Sequence, residues 1–182
     1  MNSAQTLKLF QTTVLPSLDR KLLSTALLAG AFATLGFDFF GQTLSPLLKD
    51  VAAPYLGAKL APVALANQLL GVITGLGGKF ISQYGIGHGL HLLTGLMLYP
   101  LGYMLAARPI SKTVMPNLPW WATGMAYGVA LFVFALYIMA HLVAGNPPFL
   151  GWGNITWVAL WGHMVFGLIV AGVYHWRHEK QI

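Results

Sequence analysis

Histidines inside long apolar stretches are the residues of this chain that could do chemistry. His91, His141 and His163 each lie in a stretch long enough to cross a hydrocarbon core, which takes about 20 residues at ~1.5 Å rise per residue. An ionisable group inside a bilayer is costly and usually faces the protein interior. Neutral imidazoles that converge from several helices bind iron, copper or zinc, and two on facing helices can hold a haem. One interpretation is therefore a site formed by His91, His141 and His163 that binds haem b or a transition metal.

Two further polar residues lie near the predicted ends of apolar stretches. Asp38 is near the end of the first stretch, where its carboxylate could orient a histidine ring or carry protons. His88 lies three residues before His91, so the two share one helix face. An imidazole near the end of a span also suits the membrane interface. The sequence thus predicts a polar cluster of Asp38 and His88 beside the histidine site.

A purely structural role for the histidines stays open. His141 and His163 could each hydrogen-bond a neighbouring carbonyl or side chain as part of helix packing. The sequence contains no His-Glu-x-x-His motif, no phosphate-binding glycine loop, no nucleophile elbow and no paired carboxylates. These absences disfavour an ordinary hydrolytic or group-transfer enzyme, and we expect no enzymatic activity.

The composition is that of an integral membrane protein. Of its 182 residues, 57% are hydrophobic and only 8% are charged, so a water-soluble fold would expose too much apolar surface. The 10 Lys and Arg residues exceed the 4 Asp and Glu residues, but they form no long basic cluster, which argues against a nucleic-acid partner. The absence of Cys excludes disulfides and thiolate metal sites. Membrane lipid is therefore an expected partner.

The elements that must position these residues are four transmembrane helices. The predicted spans are residues 22–40, 86–107, 120–144 and 154–174, which predict an all-α, four-helix membrane bundle. Residues 1–21 form an N-terminal cytoplasmic or interfacial segment, with a short amphipathic surface helix as one interpretation. The segment 41–85 contains one apolar stretch of marginal length that ends in glycines. We predict additional interfacial or re-entrant helices there.

Small residues on two of the spans predict close helix contacts. Ala26, Gly30 and Thr34 recur every four residues on the first span, and Gly124 and Gly128 repeat this spacing on the third. In lipid, such faces let helix backbones approach closely. The contact could lie within the chain or with a partner.

The distribution of basic residues predicts the orientation in the membrane. With four spans and a cytoplasmic N-terminus, the outer turn at residues 145–153 carries no charge, whereas a fifth span would move the later basic residues outside. Three lysines in the long outer segment run against this assignment: Lys49, Lys59 and Lys79. The basic residues that fall on the cytoplasmic side are Lys8, Arg20, Lys21, Arg108, Lys112, Arg177 and Lys180.

Several short motifs lie between residues 87 and 176. They are the run from His91 to Thr94 leading to Gly102 and Tyr103, the later His141, the pair Pro147 and Pro148, and the pair Gly162 and His163. With these motifs the chain resembles the YagU-like family of small bacterial inner-membrane proteins. The resemblance implies a bacterial inner-membrane location and a link to acid tolerance, but no particular chemistry. The four-span topology adds that both termini are cytoplasmic.

Three functions follow as hypotheses. The glycine-lined faces, together with the missing catalytic set, favour a small accessory or interaction subunit that packs against another membrane protein or forms a homo-oligomer. The alternative is a haem- or metal-binding electron-transfer or sensor protein that uses the intramembrane histidines. The third is a proton-linked channel or transporter with Asp38 in the proton path.

Overall fold

The computed structural model describes residues 16–47 and 61–180, and this part of the chain is helical without β-strands. The predicted amphipathic segment before residue 16 and residues 48–60 of the outer segment lie outside the described residues. The helices are α1 (Arg20–Leu47), α2 (Ala61–Thr74), α3 (Gly78–Gln83), α4 (Ile86–Val114), α5 (Trp120–Val143) and α6 (Asn154–Glu179).

Four of these helices are long and apolar enough to cross a membrane: α4, α5, α6 and the part of α1 from Arg20 to Gly41. The chain is therefore a multi-pass membrane protein, and the predicted all-α helical bundle is confirmed. α2 has 14 residues and extends only about 21 Å. That length is below the ~30 Å thickness of the hydrocarbon core.

The helices extend beyond their predicted spans. α1 runs to Leu47, seven residues past the predicted end at residue 40, and α6 runs to Glu179, five residues past residue 174. α4 runs to Val114, seven residues beyond the predicted end at residue 107. Pro109 stands at the start of a new α-helical turn, after the π-helical turn Tyr103–Ala107. A proline is tolerated in a first turn, because its missing N–H would have no partner there.

Wide, π-helical turns interrupt three of the long helices. They occupy Thr94–Leu98 and Tyr103–Ala107 in α4, Phe134–Val143 in α5 and His175–Glu179 in α6. Such turns are rare and are frequent at functional sites. Thr94–Leu98 and Phe134–Val143 face one another across the same half of the bundle, since both contribute side chains to one cavity.

Small residues let the long helices approach one another within the chain. A Cβ atom added at Gly128 would overlap the backbone of α6, 2.7 Å from Met164 Cα, and one added at Gly124 would lie 2.6 Å from Ala171 Cβ. On α1, a Cβ at Gly30 would lie 2.6 Å from Leu96 Cα in α4, while Ala26 and Thr34 are buried on either side. Both predicted small-residue faces therefore make contacts between helices of this chain.

The interior of the bundle has two halves of different character. In the half where α1 begins and α6 ends, side chains fill the space between the helices and form a closed apolar core. In the other half the same helices diverge around a cavity. The core consists of Leu22, Ala26, Ala29, Ala33, Tyr103, Met104, Leu131, Phe166, Val170, Ala171 and Tyr174.

The turn between α5 and α6 has a left-handed backbone. Phe149, Leu150 and Trp152 have φ values of 48°, 53° and 59°, which side chains other than glycine rarely adopt. The ring of Phe149 stacks on Phe132 at 5.4 Å, and its carbonyl accepts a hydrogen bond from the Thr156 hydroxyl. These contacts hold a strained turn over the end of the cavity, where Leu150 is part of the wall.

Candidate functional site

A cavity of about 600 Å³ lies between α1, α2, α4, α5 and α6. This volume falls within the range of about 300–1,000 Å³ that small-molecule sites occupy. Most of its wall is apolar, with a small number of polar side chains, among them Asp38, His91 and His163. A mostly apolar wall with a few fixed polar groups is the usual construction of a ligand pocket.

Asp38 and His91 form a pair in the wall of the cavity. Asp38 Oδ2 lies 3.2 Å from His91 Nε2, and the two side chains are only 17% and 14% exposed. The residues come from α1 and α4, so the pair also links two spans. Asp38 Oδ1 is enclosed and has no hydrogen-bond partner among the residues described. His91 is thus the hydrogen-bond partner of the Asp38 carboxyl group among the described residues.

His163 lies deeper, about 14 Å from the start of α6 by helical rise. Its Nδ1 donates a hydrogen bond to the carbonyl oxygen of Ala159, one turn earlier, at 2.7 Å. The Phe37 ring packs against the imidazole in a T-shaped arrangement at a centroid distance of 4.9 Å. Gly162 makes room for this ring, because a Cβ there would lie 3.0 Å from Phe37. His163 is thus fixed in one orientation within an aromatic wall.

The predicted site of three histidines differs from the structure. His141 Nδ1 donates to the carbonyl oxygen of Asn146 at 2.7 Å, and His141 does not line the cavity that His91 and His163 share. In residues 16–47 and 61–180, no three His, Cys, Asp or Glu side chains lie close enough to hold a metal ion. His141 is kept out of the cavity because its ring is hydrogen-bonded to the turn at residues 144–147, which follows α5.

Asp38 and His88, which were predicted to form one polar cluster, lie in different surroundings. Asp38 belongs to the cavity through His91, whereas His88 is half-buried at the start of α4 and does not line the cavity. Three-residue spacing puts His88 and His91 roughly 50–60° apart around a helix at 3.6 residues per turn. Asp38 reaches only the one that faces α1.

An amide network links α2 to the end of α5 at the wall of the cavity. The Gln68 side chain of α2 donates to the carbonyl oxygen of Ala144 at 3.1 Å and accepts from the Asn146 side chain at 2.9 Å. Both amide side chains line the cavity. Sequence reasoning missed this pair, although a polar Asn67–Gln68 step inside an otherwise apolar helix was visible. The network attaches α2 to α5 across the cavity.

A second polar site lies at the opposite end of the bundle. Glu179 accepts two hydrogen bonds from the buried Arg108 guanidinium, at 2.8 and 2.9 Å, and also contacts Lys112 and His175 at 2.8 Å each. Arg108 donates further to Thr123 at 3.2 Å. The sequence analysis treated Arg108 only as a topology signal. The visible clue was that Glu179 is one of only 4 acidic residues in the chain.

No family model, no curated protein and no solved structure matches this chain. The resemblance to the YagU-like family stays a prediction. Function therefore has to be inferred from the cavity and its wall.

Proposed function

We propose that this protein binds a small, predominantly apolar molecule inside the membrane. The observation that carries the proposal is the cavity of about 600 Å³, with its apolar wall and its few polar groups held in place by hydrogen bonds. Apolar surface supplies binding free energy without direction, and fixed polar groups set the orientation of the ligand. A molecule dissolved in the bilayer reaches such a site without first crossing water.

The functions predicted from sequence relate to this proposal in different ways. A role as an accessory subunit remains a prediction, since the apolar outer faces of a membrane bundle suit lipid and partner helices alike. Proton transfer through Asp38 also stays a prediction, and its pair with His91 is the group it would use. A metal centre receives no support from the described side chains.

For the location, we propose a bacterial inner membrane with both ends of the chain in the cytoplasm. The first part rests on the resemblance to the YagU-like family. The second is supported by the basic residues Arg20, Lys21, Arg108, Lys112 and Arg177, which contacts among α1, α4 and α6 bring to one end of the bundle. Basic residues are enriched on the cytoplasmic side of bacterial inner-membrane proteins.

Filling the cavity tests the proposed binding. Ala135 of α5 lines the cavity, whereas Ala130 on the same helix is exposed at the outer surface. The variants Ala135→Phe and Ala130→Phe add the same side chain at these two positions. We expect a photoactivatable alkyl diazirine to label cavity residues of the native protein in lipid nanodiscs, as mapped by mass spectrometry. In Ala135→Phe this labelling should fall several-fold, because the new ring takes the ligand's space.

The control variant Ala130→Phe should keep native labelling of the cavity. Labelling of exposed residues such as Leu142 and Trp161 reports contact with bulk lipid, and it should not change in either variant. Labelling confined to these exposed positions in the native protein would refute the proposed function.

A further inference from the structure

The unbonded ring nitrogen of His163 indicates which head group the cavity accepts. The carbonyl oxygen of Ala159 can only accept a hydrogen bond, so the proton of the neutral ring is on Nδ1. Nε2 therefore presents a lone pair. Among the described residues, the hydrogen bond of the His163 ring is the one that Nδ1 makes with Ala159. The wall of the cavity thus contains a fixed acceptor that lacks a donor.

His163 is a buried residue in a mostly apolar wall, so a hydrogen bond to its ring would form away from water. His163 is 7% exposed and lines the cavity, and the rings of Phe37 and Phe132 lie steeply inclined to its ring at centroid distances of 4.9 and 6.3 Å. In water the lone pair would be hydrated, and in an apolar wall an unpaired acceptor costs free energy. A ligand that donates to Nε2 recovers this free energy, whereas a ligand without a donor does not.

We infer that the ligand carries a hydroxyl head group, which donates a hydrogen bond to His163 Nε2 while its apolar body fills the cavity. This inference rests on the proposed function. Ketones and ethers only accept hydrogen bonds and leave Nε2 unpaired. An ammonium group could also donate, and the unpaired Asp38 Oδ1 in the same wall would face it, so an amine is one arm of the test below.

A metal or haem iron is the other partner that an imidazole lone pair takes. The cavity offers Nε2 of His163 together with a His91 ring that is already held by Asp38. Among the side chains the structure describes, no three ligating groups converge. The surroundings of Nε2 are aromatic and apolar, as suits a neutral hydroxyl-bearing molecule.

Paired probes of matched length test the head group. We would titrate the full chain with 1-dodecanol, dodecyl methyl ether and dodecylamine and measure binding by native mass spectrometry after release from detergent. We expect the alcohol to bind about tenfold more tightly than the ether, the difference that one hydrogen bond formed inside an apolar cavity makes. The variant His163→Phe should bind both equally, because it keeps the ring but removes the acceptor.

His141→Phe is the matched control, since His141 lies outside the cavity, and it should keep the preference for the alcohol. A second readout uses only the native protein. With ¹⁵N-labelled histidine, the Nε2 resonance of His163 should shift on addition of dodecanol and stay unchanged with the ether. Because this measurement uses the native protein, it tests the inference even if His163→Phe fails to fold.

The possible failures are distinguishable. Equal binding of alcohol and ether by the native protein overturns the hydroxyl inference and leaves the proposed function standing. Tighter binding of the amine overturns it in favour of a cationic ligand, and a visible absorption band that forms with haem b and is lost in His163→Phe overturns it in favour of iron. No binding of any probe, together with unchanged labelling in Ala135→Phe, refutes the proposed function itself.

Discussion

At the scale of single residues, the surroundings of each polar side chain determine its role. His141 and His163 both donate Nδ1–H to a backbone carbonyl at 2.7 Å, yet only His163 lines the cavity. The same holds for glycines. The loss of stability on replacing a glycine by a larger residue depends on which atoms lie opposite it. Two predictions follow from such local contacts.

Gly128→Ala should destabilise the bundle. The added Cβ would meet the backbone of α6 at His163 and Met164, and backbone cannot move aside as a flexible side chain can. We expect a loss of about 1–3 kcal/mol, as for other overpacked interiors, measured by thermal unfolding in detergent. Gly89→Ala is the control, because nothing lies within 4 Å of its Cβ. Equal unfolding temperatures for the two variants would contradict a packing role for Gly128.

Glu179→Gln should also destabilise the protein, for an electrostatic reason. The Arg108 side chain is 10% exposed and has Glu179 as its carboxylate partner, and a buried charge without its partner costs about 3–5 kcal/mol. Lys112→Gln removes a charge from the same cluster, but Lys112 is 53% exposed and its ion pair should contribute at most ~1 kcal/mol. Similar unfolding temperatures for Glu179→Gln and Lys112→Gln would show that burial of Arg108 does not matter.

At the scale of elements, the long helices could be predicted and the shorter ones only in outline. A run of about 20 apolar residues has few structures available in lipid other than a helix, because every backbone group must be hydrogen-bonded internally. This reasoning located α1, α4, α5 and α6. It could not show that α2 lies over a cavity, since that depends on contacts between Gln68 and residues 76 and 78 positions later, Ala144 and Asn146.

The contacts of Gln68 predict that α2 controls access to the cavity. Gln68→Ala removes the hydrogen bonds to Ala144 and Asn146, while the buried Val63 and Leu69 still hold the helix. We expect hydrogen–deuterium exchange of Ala61–Thr74 to become roughly tenfold faster, from the loss of about two hydrogen bonds of ~0.5–1.5 kcal/mol each. Gln83→Ala, at an exposed residue of α3, should leave this exchange unchanged. Identical exchange in both variants would mean that α2 is held by its apolar contacts alone.

At the scale of the whole molecule, the number of spans followed from the sequence but the division into two halves did not. The count depends on the length of apolar runs. The closed core and the open cavity depend instead on where the four helices diverge, which is set by non-local contacts such as Gly30 against Leu96 and Gly128 against Met164. The pairing of Asp38 with His91, 53 positions apart, depends on the same contacts.

The start of α1 and the end of α6 lie together at one end of the bundle. His178 Nε2 lies 3.0 Å from Thr25 Oγ1, and Arg177 donates to Ser24 at 3.2 Å. The chain has no Cys, so single-cysteine variants report position directly. Ser17→Cys and Lys180→Cys should react with a membrane-impermeant maleimide only from the cytoplasmic side, and Gly151→Cys only from the opposite side. Labelling of Ser17→Cys and Lys180→Cys from different sides would rule out the four-span topology.

The helices that cross the membrane differ in length, and α4 is longer than the hydrocarbon core of a bilayer is thick. α4 has 29 residues and α5 has 24, which correspond to about 44 and 36 Å against a core of ~30 Å. We expect the charged cluster of Arg108, Lys112 and Glu179 to hold one end of α4 at the lipid head groups. Mismatch between protein and bilayer must therefore be absorbed at the other end, beside the cavity. Lipids with shorter acyl chains would bring head groups and water closer to α2, so the lipid composition of the membrane would itself regulate how readily the proposed ligand enters and leaves the cavity.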